Sequence, residues 1–243
     1  TMEIIDKQIQ KTSGMILVTG PTGSGKTTSL FSVINRIRDE KMNILTVEDP
    51  VEYRMEYVNH VEANPKIDLT FSRVCRSFLR QDPDVVLVGE IRDLVTAEAA
   101  IQNALVGTLL LSTLHTNSSI KTISRLISLG LPPFYISSTL TMVLAQRLVR
   151  TICSKCVESY TPNAYFSGLL KLPKGKYKRG KGCAYCQQGG YTGRVVIAEA
   201  LSVSNALRNA IDVGMTELEM EKIVVKEGFQ TMQDDARNKI IKG

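Results

Sequence analysis

Three observations predict an α/β fold with a mostly parallel sheet for this 243-residue chain. Apolar runs of strand length alternate with stretches of helical periodicity, the pattern of a parallel sheet covered by helices. The first run, Met15–Val18, leads into Gly20-x-x-x-x-Gly25-Lys26-Thr27 and then a helical segment, the setting that gives a Walker A match its meaning. At Cys153 the composition changes: two Cys-x-x-Cys pairs flank a stretch rich in lysine, glycine and proline, which marks a small separate module before a helical C-terminal part.

Taken in order, Met2–Gln10 reads as a short helix feeding the Met15–Val18 strand. Thr27–Glu40 continues as a helix, with Leu30, Phe31, Ile34 and Ile37 at helical spacing. Asn43–Val47 is a second strand, stopped by Glu48-Asp49-Pro50. Val51–Asp68 is irregular and is expected to be hairpin or loop. Phe71–Arg80 is helical, Val85–Val88 is a third buried strand closed by Gly89-Glu90, and Thr96 is expected to cap a helix through Asn103. Leu109–Leu114 is a fourth strand, ending in His115-Thr116-Asn117. Two helices are expected next, Ile120–Leu129 and Phe134–Val149. Val195–Leu201 is another strand, and Leu201–Gly243 reads as short amphipathic helices.

The glycine-rich loop gives the first functional assignment. Glycines at 20, 23 and 25 let successive N–H groups point inward at phosphate oxygens, and the helix behind them adds the positive end of its dipole. Gly20, Pro21, Thr22, Gly23, Ser24, Gly25, Lys26, Thr27 and Thr28 are therefore the expected ATP-binding residues. Lys26 is expected to reach the β- and γ-phosphates and the Thr27 hydroxyl to ligate Mg²⁺.

In parallel α/β sheets ligands gather beyond the carboxyl ends of the strands. Three strands end there in reactive groups: Glu48-Asp49, Glu90 and His115. Glu90 closes a Walker B-like run and is read as the catalytic base. Glu48, with Glu52, would position Mg²⁺ and the attacking water. His115 is read as a γ-phosphate sensor, with a purely structural histidine as the competing reading. His60 receives no functional assignment.

Cys153, Cys156, Cys183 and Cys186 form two chelating pairs that together complete a closed tetrahedral Zn²⁺ site. Disulfides and a redox Cys-x-x-Cys are the competing readings; a cytoplasmic setting disfavours the first, and the lack of a strand opening a helix the second. Cys75, alone in a helix, reads as a small core residue. Between the pairs lie Lys171, Lys174, Lys176, Lys178, Arg179 and Lys181. They form either a solvated loop or a contact for anionic lipid or an acidic partner.

The ordered set GPTGSGKTTSL, TVEDPVEY, FLRQDPDVVLVGEIRD and STLHTN resembles the secretion ATPase superfamily, and within it the assembly motors of type II secretion systems and type IV pili. The resemblance spans essentially the whole chain. It implies a RecA-like ATPase core at 1–150, a tetracysteine zinc module at 151–194, and a C-terminal strand and helical subdomain at 195–243. It makes Glu48, Asp49 and Glu52 an Asp box, Glu90 the Walker B glutamate and His115 part of the His box. It also makes Arg76, Arg80 and Arg194 arginines that face nucleotide at or near a subunit interface. It implies a ring of six subunits that acts on an inner-membrane platform protein to add pilin or pseudopilin subunits to a filament. Assembly-type motors carry the tetracysteine module, whereas retraction-type motors generally lack it. One departure is visible: where the His box commonly begins Thr-Gly-His, this chain has Val106-Gly107-Thr108. Such motors also carry an N-terminal domain that residues 1–14 are too short to supply, so the chain is expected to be a fragment with weak oligomerisation and low activity.

The formal charge of +6 is mild, and no apolar run approaches the roughly 18 residues of a membrane span. With no signal-peptide pattern, the expected location is the cytoplasm, peripheral to the inner membrane through partners. Nucleic acid is not expected as a partner, since no aromatic interleaving accompanies the basic residues. Two other readings stay open: a DNA-handling RecA-like ATPase, and a nucleotide-gated scaffold with little turnover.

Overall fold

The computed structural model describes residues 2–243. Its strands are β1 (Gly14–Thr19), β2 (Ile44–Glu48), β3 (Val58–Glu62), β4 (Val85–Val88), β5 (Leu109–Leu114), β6 (Leu140–Ile152), β7 (Val157–Tyr160), β8 (Tyr177–Gly180) and β9 (Tyr191–Ser202). Seven of them form one sheet in the order β3-β2-β4-β5-β1-β6-β9, and β7 pairs with β8 apart from it. Every neighbour in the large sheet is parallel except β6 and β9.

The helices are α1 (Met2–Ile9), α2 (Lys26–Ile37), α3 (Phe71–Phe78), α4 (Leu94–Leu105), α5 (Ser119–Ser128), α6 (Pro133–Thr139), α7 (Ala164–Leu169), α8 (Asn205–Asp212), α9 (Glu217–Lys226) and α10 (Met232–Lys242). Among the described residues, no helix is long and apolar enough to cross a membrane.

Side chains alternate along each strand, so each face of the sheet meets its own helical layer. On one face Ile16, Val18, Ile44, Leu87 and Leu111 pack with Leu30, Phe31 and Ile34 of α2. On the other, Leu17, Val47, Val88 and Leu110 pack with Val74 and Phe78 of α3 and Ile101 of α4. Strands β1, β2, β4 and β5 are buried at every position, which is why they read in sequence as unbroken apolar runs.

The C-terminal helices join this core, contributing Leu207, Ile211, Met220 and Val224 to the second face. Each starts on a side-chain cap, Ser204, Thr216 or Thr231. A buried carboxylate on β9 fastens them: Glu199 accepts from the Ser119 amide (2.7 Å) and hydroxyl (2.9 Å) and from the Met232 amide (3.1 Å).

Three local expectations are corrected. Phe134–Val149 is not one helix: α6 stops at Thr139 and the chain continues as the 13-residue strand β6. Residues 140–146 are buried on both faces of the sheet, so their apolar run carries no alternation to separate strand from helix. Val51–Asp68 is not all hairpin or loop, because β3 adds parallel to β2 at the sheet edge. The cap of α4 is Asp93, whose Oδ1 accepts from the Thr96 amide at 2.7 Å.

β6 and β9 run through the expected 150/151 and 194/195 boundaries as paired strands of the main sheet. The tetracysteine module is thus the segment from Cys153 to Gly190 that hangs from the far end of this ribbon.

Candidate active site

A cavity of about 370 Å³ opens beyond the carboxyl ends of β1, β2, β4 and β5. It is lined by the phosphate loop, by Glu48, Asp49 and Glu52 after β2, by Glu90 after β4, and by His115 after β5. The topology explains the convergence. Because β5 lies between β1 and β4, His115 emerges between the phosphate loop and Glu90.

The loop is shaped by what surrounds it. Gly20 has φ +151°, and a Cβ there would stand 2.4 Å from the Gln146 carbonyl oxygen. Gly25 takes φ 87° as the residue before α2 and supplies no side-chain cap. The first amides of α2 are therefore left for a ligand, in contrast to α3, α4 and α5, whose caps are Thr70, Asp93 and Ser118. Lys26 Nζ donates to the carbonyls of Gly20 (3.0 Å) and Pro21 (3.2 Å). Burial lowers the Lys26 ammonium from its ordinary value, while the charge of Glu90 acts the other way. Ser24 Oγ is buried and, among the described residues, has no hydrogen-bond partner. The donor set thus fits a polyphosphate.

Gln146 holds the loop from beneath. From β6 it donates Nε2 to the Ser24 carbonyl at 2.8 Å, and its Oε1 accepts from the Ser29 hydroxyl at 2.8 Å. A second tie runs from β1 to the His115 loop: the Thr19 hydroxyl lies 2.6 Å from Thr116 Oγ1 and accepts from the Thr116 amide at 2.9 Å.

The two glutamates have different surroundings. Glu90 pairs through Oε1 with the Arg92 guanidinium, and its Oε2 lies 3.5 Å from His115 Nε2. Glu48 is 5% exposed, and its Oε1 accepts from the Thr46 hydroxyl at 2.7 Å and lies 2.8 Å from His60 Nδ1. Among the described residues no hydrogen bond goes to Glu48 Oε2.

Of the residues the sequence assigned to the site, Thr22, Gly23, Gly25, Lys26, Thr27, Thr28, Glu48, Asp49, Glu52, Glu90 and His115 line the cavity, whereas Gly20, Pro21 and Ser24 of the loop do not. Arg76, Arg80 and Arg194 do not line it: all three are exposed, on and just after α3 and on β9. His60, Arg92 and Gln146 were missed. A usable signal existed for Arg92, which stands two residues after Glu90. The other two are placed by strands that periodicity did not reveal.

The four cysteines also converge. Their Sγ atoms all lie within 4.8 Å of one another, with Cys153–Cys183 at 4.0 Å, Cys156–Cys186 at 3.8 Å and Cys183–Cys186 at 3.7 Å. A tetrahedral centre with metal–sulfur bonds of about 2.3 Å requires sulfurs roughly 3.8 Å apart, so the cluster fits a closed metal site. Backbone amides complete it, Gly182 donating to Cys156 Sγ at 3.3 Å, and Cys183 and Gly190 to Cys186 Sγ at 3.2 Å each.

Over residues 1–243 the chain matches the family described as "Type II/IV secretion system protein". It is 45% identical over 244 residues to the type II secretion system protein E of Pseudomonas aeruginosa, covering 99% of this chain and 48% of that protein. It is 42% identical over 240 residues to the type IV pilus assembly ATPase PilB of Thermus thermophilus, covering 97% of this chain and 27% of that protein. The chain spans about half the length of the secretion-system relatives it matches. Among solved structures, it is similar to the pilus retraction motor PilT with bound ADP, at 30% identity and a TM-score of 0.66 over 97% of this chain and 63% of that one. It is also similar to the ATPase DotB of Legionella pneumophila, at 25% identity and a TM-score of 0.72 over 99% and 60% of the two chains. On its sequence the chain belongs to the type II/IV secretion system protein family.

Proposed function

We propose that this chain is the Mg²⁺-dependent ATP-hydrolysing core of a motor that powers pilin or pseudopilin assembly. The observation that carries this reading is the convergence of Lys26, Thr27, Glu48, Glu90 and His115 on one cavity of about 370 Å³. Lys26 and the loop amides bind the β- and γ-phosphates, and Thr27 is the hydroxyl suited to hold Mg²⁺. The metal would supply neutralisation of phosphate charge.

Glu90 is the proposed base that takes the proton of the attacking water, with His115 beside it to sense the γ-phosphate and Glu48 to hold metal and water. A second reading gives the base role to Glu48, and one observation favours it. Glu90 Oε1 is paired with the Arg92 guanidinium and its Oε2 lies 3.5 Å from His115 Nε2, whereas Glu48 keeps Oε2 uncommitted. Arg76, Arg80 and Arg194, exposed on this chain, would act on the nucleotide of a neighbouring subunit in a homo-hexamer. The location is cytoplasmic, peripheral to the inner membrane through a platform protein. The cysteine cluster is a structural zinc site, since four thiolates leave no open position for chemistry.

The test is steady-state ATP hydrolysis across a range of protein concentrations, with nucleotide binding measured in parallel, for the parent, Glu90→Gln and Glu48→Gln. Turnover that rises faster than concentration supports a ring. Loss of about 100-fold or more in one variant with binding retained identifies the base. Absence of ATP binding by the parent would overturn the reading, and stimulation by nucleic acid would favour a DNA-handling ATPase instead.

A further inference from the structure

The chain has two histidines, and the one outside the His box is the more deeply placed. The His60 side chain on β3 is 2% exposed, whereas that of His115 is 52% exposed. The parallel register sets His60 beside Thr46. Glu48 lies two residues further along β2, so all three side chains share the face of the sheet that bears α2. Each polar atom of the imidazole has a partner. The Met55 amide donates to Nε2 at 3.1 Å, which makes Nε2 an acceptor and leaves the proton on Nδ1. Nδ1 then points at Glu48 Oε1, 2.8 Å away, with Thr46 Oγ1 at 3.0 Å.

We propose that His60 is a positioning residue for the active site, a neutral Nδ1–H imidazole that fixes Glu48 so that Oε2 is the oxygen presented to the cavity. Both donors to Glu48 converge on the same oxygen, which leaves Oε2 as the free one. The same ring holds the chain at Met55, three residues after Glu52, and so sets the segment carrying Glu52 relative to Glu48. The arrangement resembles in logic the outer-shell partners of metal-site ligands, whose loss costs roughly 10–100-fold in activity or affinity. This inference rests on the reading that Glu48 acts on water or metal.

Two measurements test it. In ¹⁵N-resolved NMR of the full chain at neutral pH, His60 is expected as the Nδ1–H tautomer, the minor form of free imidazole; an Nε2–H ring or an imidazolium overturns the proposal. In turnover assays, His60→Asn keeps a donor where Nδ1 stands, whereas His60→Gln keeps only the acceptor for Met55 and His60→Leu keeps neither. His60→Gln and His60→Leu are expected to lose about tenfold in kcat with ATP affinity unchanged, and His60→Asn to stay within about threefold of the parent. Full turnover by His60→Gln beside an inactive Glu48→Gln would refute the positioning role while leaving Glu48 in place. Full turnover by Glu48→Gln would refute the reading of Glu48 instead, and the tautomer would still report whether His60 grips its carboxylate.

Discussion

Around the cavity, β1, β4 and β5 are buried at every residue, and each functional side chain stands at the end of a strand whose neighbours fix its height and direction. Between Cys153 and Gly190 the opposite holds. The only buried side chains there are Cys153 and Cys186, while Tyr165, Phe166 and Leu169 stand in solvent. One region is positioned by a hydrophobic core and the other by sulfur atoms. Core-positioned sites lose chemistry when a side chain is changed but keep their shape; a module with no core loses its shape when its ligand is removed.

Metal removal is the strongest way to break this comparison. With the proposed zinc chelated, hydrogen exchange at Gly182, Cys183 and Gly190, whose amides face sulfur, is expected to rise to the rate of an open loop, while β1, β4 and β5 stay protected. Binding energies of structural zinc in small domains, about 10–16 kcal/mol, are large enough for the module to unfold entirely. A thiol reagent counts the released groups: four cysteines react after chelation, and Cys75 stays silent because burial pushes its thiol up to about 12. Equal loss of protection in the sheet would mean that the module supports the core.

At the cavity, Lys26→Ala is expected to weaken ATP binding by roughly 100-fold, the cost of leaving a bound anion without its closest cation. Exchange protection of both regions should not change. Titration calorimetry and hydrogen exchange on the same sample decide it.

Gln146→Leu probes the seam between the two regions, since β6 runs from beneath the phosphate loop directly to Cys153. The substitution removes the donor to the Ser24 carbonyl and the acceptor of the Ser29 hydroxyl, leaving the buried Ser24 carbonyl unpaired at about 1–3 kcal/mol. ATP affinity is expected to fall about tenfold, with zinc content, read by elemental analysis, unchanged.

The same contrast explains what was legible in the sequence. The phosphate loop, the β1, β4 and β5 runs and the cysteine pairs are local signals: glycine spacing, unbroken apolar runs and Cys-x-x-Cys each state their chemistry within a few residues. His60 meets Glu48 across a sequence separation of 12 and Gln146 meets Ser24 across one of 122, separations set by strand order and register that periodicity does not carry. β6 was read as helix because a strand buried on both faces shows no alternation. β3 was missed as a short edge strand whose residues are only half buried. Arg92 lay beside a motif residue, yet its pairing with Glu90 depends on how the chain turns after β4.

The smallest expected effect falls on α10, which buries no residue of its own. Thr231 and Asp234 form a reciprocal cap at the start of α10: the Thr231 hydroxyl and amide donate to Asp234 Oδ2 at 2.7 and 2.9 Å, and the Asp234 amide donates back at 3.2 Å. Those bonds, side chain first and then backbone, hold the Asp234 carboxyl below its ordinary value. A depressed carboxyl contributes stability that is fully present above the unfolded value, near 4, and is lost as pH falls through the folded one. Thr231→Ala is therefore expected to cost about 1 kcal/mol at neutral pH and less in acid, where protonation of Asp234 has already weakened the parent's hydroxyl-to-carboxylate bond. Exchange at the first amides of α10 reads this directly, and the sheet is unaffected at either pH. If instead protection of β9 fell together with α10, the Glu199 bond to Met232 would have to be counted as a support of the sheet and not merely a fastening for the helix.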